Sequence, residues 1–554
     1  NAVFTNGVTA ASFTQAAGTG TTTFSGAQDY TGAFSFTGAA LTVNNSLTTS
    51  GTVTVTNSGL FTKNATGAIT ATGGFTQNGA GLNSIGANIS TTNTDLLFAT
   101  GITLTQNVTF STGAGAGDIL FGNDLSVNLA GRTLTLTAGT GTVSFAGTVG
   151  ASGMELGAFS ITADEVEFNG GPGSVSGSST LTIQPSADGI PIGLGTGAGT
   201  LVLDTVDIDA LADGFTSITI GRATGTAAVT SGGGVGDVHF SDPVLIQSNG
   251  AGGTVVLNGP VTGTGNATIS ITATGITLGY DGGDILTTAN QGITLTGPVT
   301  LSADASITTG AGAGNIVFNG LVDGSSAFTL EAGTGDILIP AAFGSGTRLR
   351  DFTIMSAANV GFDAGATTAT ASIRASSITM DNCSTTARFG HLDTDAAAGI
   401  AITGTTIYLA GGVTTTNGGP LTISNSGLLT IEDTTDANDT ATIDLDLSGA
   451  FLQNGAGNMD IAGDIHTANA NIRFQTAPQV ATTGNVSVDA GTALFQVDTT
   501  LSVNNAVHIF DVGSSDFDID TLSNLGTFRL TGQQATTHTI STMDVDSGLV
   551  QYYD

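Results

Sequence analysis

The chain has 554 residues, with 9 Lys+Arg against 43 Asp+Glu, a formal net charge of −34, 83 Gly, no Trp and only 9% charged residues. So few cations exclude a nucleic-acid binder, whose phosphate contacts need clustered Lys and Arg, and docking through basic residues on an anionic membrane. A hydrophobic content of 40% fills a core and so excludes simple disorder, and a single cysteine, Cys383, excludes an intrachain disulfide.

Taken in order, the chain repeats one kind of phrase: a Gly/Ala/Thr turn, then apolar and polar residues in alternation. Alternation marks a half-buried strand, and Gly clusters mark tight turns. Phe13-Thr14-Gln15-Ala16-Ala17-Gly18 opens the series. Residues 75–98, FTQNGAGLNSIGANISTTNTDLLF, align without gaps with residues 451–474, FLQNGAGNMDIAGDIHTANANIRF. Residues 112–146, TGAGAGDILFGNDLSVNLAGRTLTLTAGTGTVSFA, return as residues 309–340, TGAGAGNIVFNGLVDGSSAFTLEAGTGDILIP. Similar turns stand at Gly195-Thr196-Gly197-Ala198-Gly199 and Asn249-Gly250-Ala251-Gly252-Gly253.

Turn phrases recur at roughly 20–25 residues, the period of a solenoid. Runs such as Leu134-Thr135-Leu136 and Ile218-Thr219-Ile220 point their apolar members one way and their Thr members the other. The expected fold is an all-β parallel β-helix, or β-solenoid, of ~20–25 residues per coil with essentially no α-helix. It is expected to be continuous over residues 1–554, with residues 344–399 as irregular coils that hold Arg348, Arg350, Arg374 and Arg388. The 27 Phe are expected to stack inside, with exposed sugar-binding platforms as the alternative. Gly259-Pro260, Gly297-Pro298 and Asp242-Pro243 are placed to open strands. No apolar run is long enough for a transmembrane helix. The chain begins at Asn1 rather than Met and stops soon after a strand-like phrase, as expected of a piece of a longer precursor.

Gly214-Phe215-Thr216-Ser217-Ile218-Thr219-Ile220-Gly221-Arg222-Ala223, Val238-His239-Phe240-Ser241-Asp242-Pro243-Val244 and Gly292-Ile293-Thr294-Leu295-Thr296-Gly297-Pro298-Val299-Thr300 resemble long repeat arrays of giant secreted bacterial surface proteins. These are the filamentous-haemagglutinin-like and autotransporter-passenger repeats. The resemblance covers most of the chain in repeat style. It implies a right-handed β-helix, export from the cell, and service as an adhesin shaft or envelope fibre.

Acidic residues fall into alternating sets: Asp204, Asp207 and Asp209; Asp436, Asp439, Asp444 and Asp446; Asp516, Asp518 and Asp520. Period-two Asp on a strand share a face, so Asp516, Asp518 and Asp520 are the calcium candidates, against a plain solvated face. Asp281-Gly282-Gly283-Asp284 is not part of a calcium nonapeptide series. His391, Asp393 and Asp395 share one side of a strand and form the candidate metal or acid–base cluster, against a structural role. No Gly-x-Ser-x-Gly elbow, phosphate-cradling loop or His-Glu-x-x-His occurs. A lyase acting on acidic sugars needs cations that one Lys and eight Arg supply poorly.

The expected function is therefore structural and non-enzymatic: an adhesin shaft, extracellular fibre or envelope layer at the bacterial surface, self-associating and requiring no cofactor, with Ca²⁺ as an optional ligand. Host or neighbouring-cell glycans are the candidate external partners. Two rivals stand beside it. One is a polysaccharide-degrading or -binding β-helix using Asp393 and Asp395, and the other is a Thr-ladder surface for ice or glycans, with Thr135 and Thr137 as examples.

Overall fold

The computed structural model describes all residues except 362–370, 434–443, 478, 504–508, 514, 525, 532–538, 545–548 and 554. The chain is an all-β, right-handed parallel β-helix. It divides into two compact units, Asn1–Ile276 and Thr277–Asp554.

In the first unit a coil is three short strands separated by corners. The first coil is Ala2–Phe4, Val8–Ala10 and Phe13–Gln15. Each pairs in parallel with its counterpart one coil on, in Thr21–Phe24, Gln28–Tyr30 and Phe34–Gly38. One wall is a seven-stranded sheet that runs from Ala2–Phe4 to Leu125–Val127. Strands this short hold because their backbone groups find ladder partners in neighbouring coils, as Thr21–Phe24 does in Ala2–Phe4 and Ala40–Val43. Side-chain bonds between coils join residues 20 or 22 apart, within the period expected from the turns, and one joins Arg132 to Gln106, 26 apart.

Burial follows the alternation. Phe75–Gln77 and Phe451–Gln453 each have their first and third residues buried and the middle one half-buried. Register then stacks like on like. Phe98, Phe121, Phe145 and Phe168 sit directly above one another. Their neighbouring ring centroids are 6.3, 4.8 and 5.5 Å apart. No aromatic residue is among the exposed large hydrophobics of the described residues, so the Phe fill the core rather than the surface. Pro243, Pro260 and Pro298 immediately precede Val244–Ser248, Val261–Gly263 and Val299–Leu301, where no ladder N–H is lost.

Two features differ from the sequence reading. The AGTG of residues 138–141 is no turn between strands; one strand, Leu134–Phe145, rounds the corner and serves two walls. Gly139 makes the bend at φ 56°, where a Cβ would lie 2.4 Å from the Ala114 carbonyl carbon. In the second unit, residues 344–399 carry long strands of the same kind, Leu349–Val360 and Ala371–Thr394. The loss of turn phrases there marks strands that bend without breaking.

Candidate functional site

The repeated phrases turn out to be corner devices. In the first unit Gln77 is fully buried, and its Nε2 donates to Asn57 Oδ1 at 2.8 Å and to the Gly79 carbonyl at 2.8 Å. Asn57 Nδ2 in turn donates to the Gly59 carbonyl at 2.6 Å. The second unit repeats this with Gln453, which donates to Asn425 Oδ1 at 2.8 Å and to the Gly455 carbonyl at 2.5 Å. Asn425 Nδ2 donates to the Gly427 carbonyl at 2.7 Å. Each pair ties adjacent coils through amides shielded from water, where a satisfied hydrogen bond is strongest and an orphaned one most costly.

The TGAGAG phrase is a second device, also present in both units. Thr112 Oγ1 closes its own turn on the Gly117 carbonyl at 2.6 Å, and Thr309 Oγ1 does so on Gly314 at 2.8 Å. Below each turn stands an Asn in the left-handed region, Asn93 at φ 54° and Asn290 at φ 64°. Their Oδ1 atoms accept the Gly115 and Gly312 N–H at 2.7 and 2.6 Å. A Cβ on Gly115 or Gly312 would lie 2.6 or 2.5 Å from that Asn, so the glycines permit the stacking. Elsewhere Asx side chains cap the next coil in the same way. Asp118 accepts Thr142 N–H at 2.8 Å, Asp304 accepts Ala327 at 2.9 Å and Asp464 accepts Ser487 at 2.6 Å.

Two hollows lie on the outside of the amide corners. One, of about 470 Å³, runs over Thr37, Thr56, Ser58 and Asn78; another, of about 280 Å³, runs over Thr403, Thr405, Ser424 and Ser426. Both are shallow troughs of small neutral residues, with hydroxyl groups but no base or carboxylate pair among their walls.

His391, Asp393 and Asp395 do share the outer side of Ala371–Thr394 and its end. The carboxylates, however, are held by cations. Asp393 Oδ2 receives Arg348 Nη2 at 2.7 Å and Arg374 Nε at 3.0 Å, and Arg348 Nε lies 3.3 Å from Asp395. Partial burial pushes the Asp393 carboxyl up, but the two guanidinium hydrogen bonds outweigh this and hold it below the usual range. A general acid needs the opposite shift. Arg348 bridges residues 45 apart, and Arg388 grips Glu432 with two 2.8 Å bonds, 44 residues away. Arg222, Arg350 and Arg473 pair with Asp188, Asp304 and Asp498. These cations act as clamps between coils.

The acidic sets fall into different surroundings. Asp204, Asp207 and Asp209 do not alternate on a strand. Asp204 is the N-cap of a five-residue helix, Thr205–Asp209, and Asp207 completes a capping box with it. The Asp-rich run satisfies a helix start better than a ladder, since both carboxylates find backbone N–H donors. Burial raises the Asp207 carboxyl to about 7, offset in part by N–H bonds from Phe168 and Asp204 and reinforced by the Asp204 and Glu167 charges. Asp436 and Asp439 lie outside the described residues. Asp444 is buried and accepts Asp464 N–H at 2.8 Å, while Asp446 lies 3.2 Å from His466 Nδ1. Asp516, Asp518 and Asp520 share the outward face of Asp516–Asn524, beside Leu494 and Gln496 of the preceding coil. Among the described residues no three His, Cys, Asp or Glu side chains gather closely enough to hold a metal ion.

Two buried groups complete the inventory. Cys383 is 1% exposed, and burial raises its thiol to about 11, far from a reactive thiolate. Lys63, the only lysine, is fully buried and donates to the Asn64 and Thr66 carbonyls at 2.7 and 2.9 Å. Desolvation lowers its ammonium to about 8. No helix among the described residues is long and apolar enough to cross a membrane. Comparison of the chain with protein families, curated proteins and solved structures finds no match.

Proposed function

We propose that this chain is a non-enzymatic structural protein of the bacterial cell surface, of the filamentous-haemagglutinin-like or autotransporter-passenger kind, serving as an adhesin shaft, extracellular fibre or envelope layer. The observation that carries the reading is the use of the buried polar and cationic side chains. Gln77, Gln453, Asn57, Asn425 and the arginine clamps are all engaged between coils. Engagement between coils is the use a stacked scaffold makes of such groups. Self-association through stacked coils is the proposed route to a fibre. Glycans of a host or neighbouring cell suit the neutral troughs.

Light scattering and electron microscopy of the purified chain at rising concentration test this reading. Open-ended assemblies are expected; isolated particles at every concentration contradict it. One observation favours the Thr-ladder rival as a second reading. Thr109, Thr135, Ser160, Thr182 and Thr219 stand in register on one wall. Thermal hysteresis or retention on a glycan array is its expected signature.

A further inference from the structure

Charge is distributed unevenly along the chain. Residues 1–117 contain two acids, Asp29 and Asp95, and one base, the buried Lys63; all the other ionisable acids and every arginine follow. The seven-stranded wall of the first unit lies mostly in this neutral stretch. Its outward column is Thr23, Thr42, Thr62, Ser84, Thr103 and Ser126, in parallel register from coil to coil. No outward residue of these strands is ionisable.

The same wall collects exposed hydrophobic side chains. Leu60 and Leu82 are 48% and 63% exposed, and they immediately precede the paired strands Phe61–Lys63 and Asn83–Ile85. Val3, on the first strand, and Leu129, just past the last, are 61% and 59% exposed. Four of the ten exposed large hydrophobics among the described residues therefore border one sheet. Single exposed leucines need no explanation, but Leu60 and Leu82, one coil apart at the rim of an uncharged sheet face, mark a docking surface.

We infer that this wall is a pairing face for the equivalent wall of a second copy of the chain. The inference goes beyond the open-ended self-association proposed above, adding a closed pairing through one wall. Electrostatics select the occupant. A cationic partner is drawn to the acidic remainder of the chain, not to this wall. Two copies, each at −34, repel one another elsewhere, and here they meet without like charges opposed. A twofold contact also sets a flat hydroxyl-and-leucine face against an identical one, which needs no second specialised surface.

Sedimentation velocity of the whole chain over a wide concentration range, at low and high salt, tests the inference. The double variant Leu60→Asp with Leu82→Asp keeps its circular dichroism, because both side chains point outward, and is expected to weaken pairing by more than about tenfold. Met355→Asp, at an exposed position of the other unit, is expected to leave pairing unchanged. End-to-end assembly gives open-ended growth in mass that the double variant retains; pairing through this wall gives a closed doubling that it loses. A wild-type chain without that doubling, or a doubling that survives the double variant, overturns the inference. Retention of a neutral polysaccharide by a monomeric wild type, lost in the double variant, also overturns it and reassigns the face to sugar.

Discussion

The amide corner of the first unit and that of the second hold the same Gln–Asn pair, yet they differ one strand further on. In the first, the strand after the corner begins with Asn83, which is buried. Its Nδ2 reaches the Thr100 carbonyl at 3.2 Å and, more distantly, Gln77 Oε1 at 3.4 Å. Its Oδ1 is buried without a partner. In the second, the aligned residue is Met459, 1% exposed, and Gln453 Oε1 instead accepts the Ala477 N–H at 3.2 Å. The shared part, Gln to Asn to glycine carbonyl, is what stacking requires. Asn83 is an addition that leaves one acceptor unsatisfied, and the second unit shows the corner closing without it.

The comparison ranks the expected effects of substitution. Gln77→Leu removes the donor to the Asn57 amide oxygen and to the buried Gly79 carbonyl, and Gln453→Leu removes the donor to the Asn425 amide oxygen. Each is expected to lower stability in chemical denaturation by on the order of 2 kcal/mol. A loss near zero in both would mean the ladder is incidental. Next come the buried ionisable groups of the first unit. Lys63 titrates near 8 when folded against 10.5 ordinarily, so the unfolded chain binds more protons between these values, and its contribution to stability rises with pH across that window. Lys63→Met is expected to raise stability at pH 7 and to remove that rise; parallel pH profiles for the two proteins would contradict it.

Asp207 has the opposite sign. Its folded carboxyl titrates near 7 against 3.8, so the folded chain holds the extra proton and its contribution is lost as pH rises from about 4 to about 7. Asp207→Asn is expected to flatten that slope, at the expense of one cap, since its amide cannot accept from both Phe168 and Asp204. An unchanged slope in urea melts across that range would place the proton elsewhere. The smallest effect belongs to Asn83→Met, which imitates the second unit. It is expected to hold or raise stability within about 1 kcal/mol. A loss as large as that of Gln77→Leu would make Asn83 part of the ladder.

Much of this architecture is legible in the sequence because alternation and glycine spacing act locally. Phe75 to Gln77 reads as a wall and Asn78 to Gly81 as a corner without knowledge of what lies above. The partners across coils are harder to read. Asn57 lies 20 residues before Gln77, but Asn425 lies 28 before Gln453, so an ungapped repeat breaks just where the pair is completed. The Asn-Ser-Gly-Leu that follows Thr56 and Ser424 is the signal that finds it. Arg348 and Asp393, 45 residues apart, carry no local signature, and so Asp393 reads from sequence as a free carboxylate. The short helix at Thr205–Asp209 is hidden in the same way, since Asp204 and Asp207 mark a helix start only once the strand before it ends at Leu203.

The central claim is that buried side-chain chemistry in this chain joins coil to coil. Amide hydrogen exchange on the Gln453→Leu protein tests it most directly. Protection is expected to fall in Phe451–Gln453 and in its ladder partners Leu421–Asn425 and Ile472–Phe474, and to stay at the wild-type level in Phe75–Gln77. Exchange unchanged in all three neighbouring strands would contradict the claim.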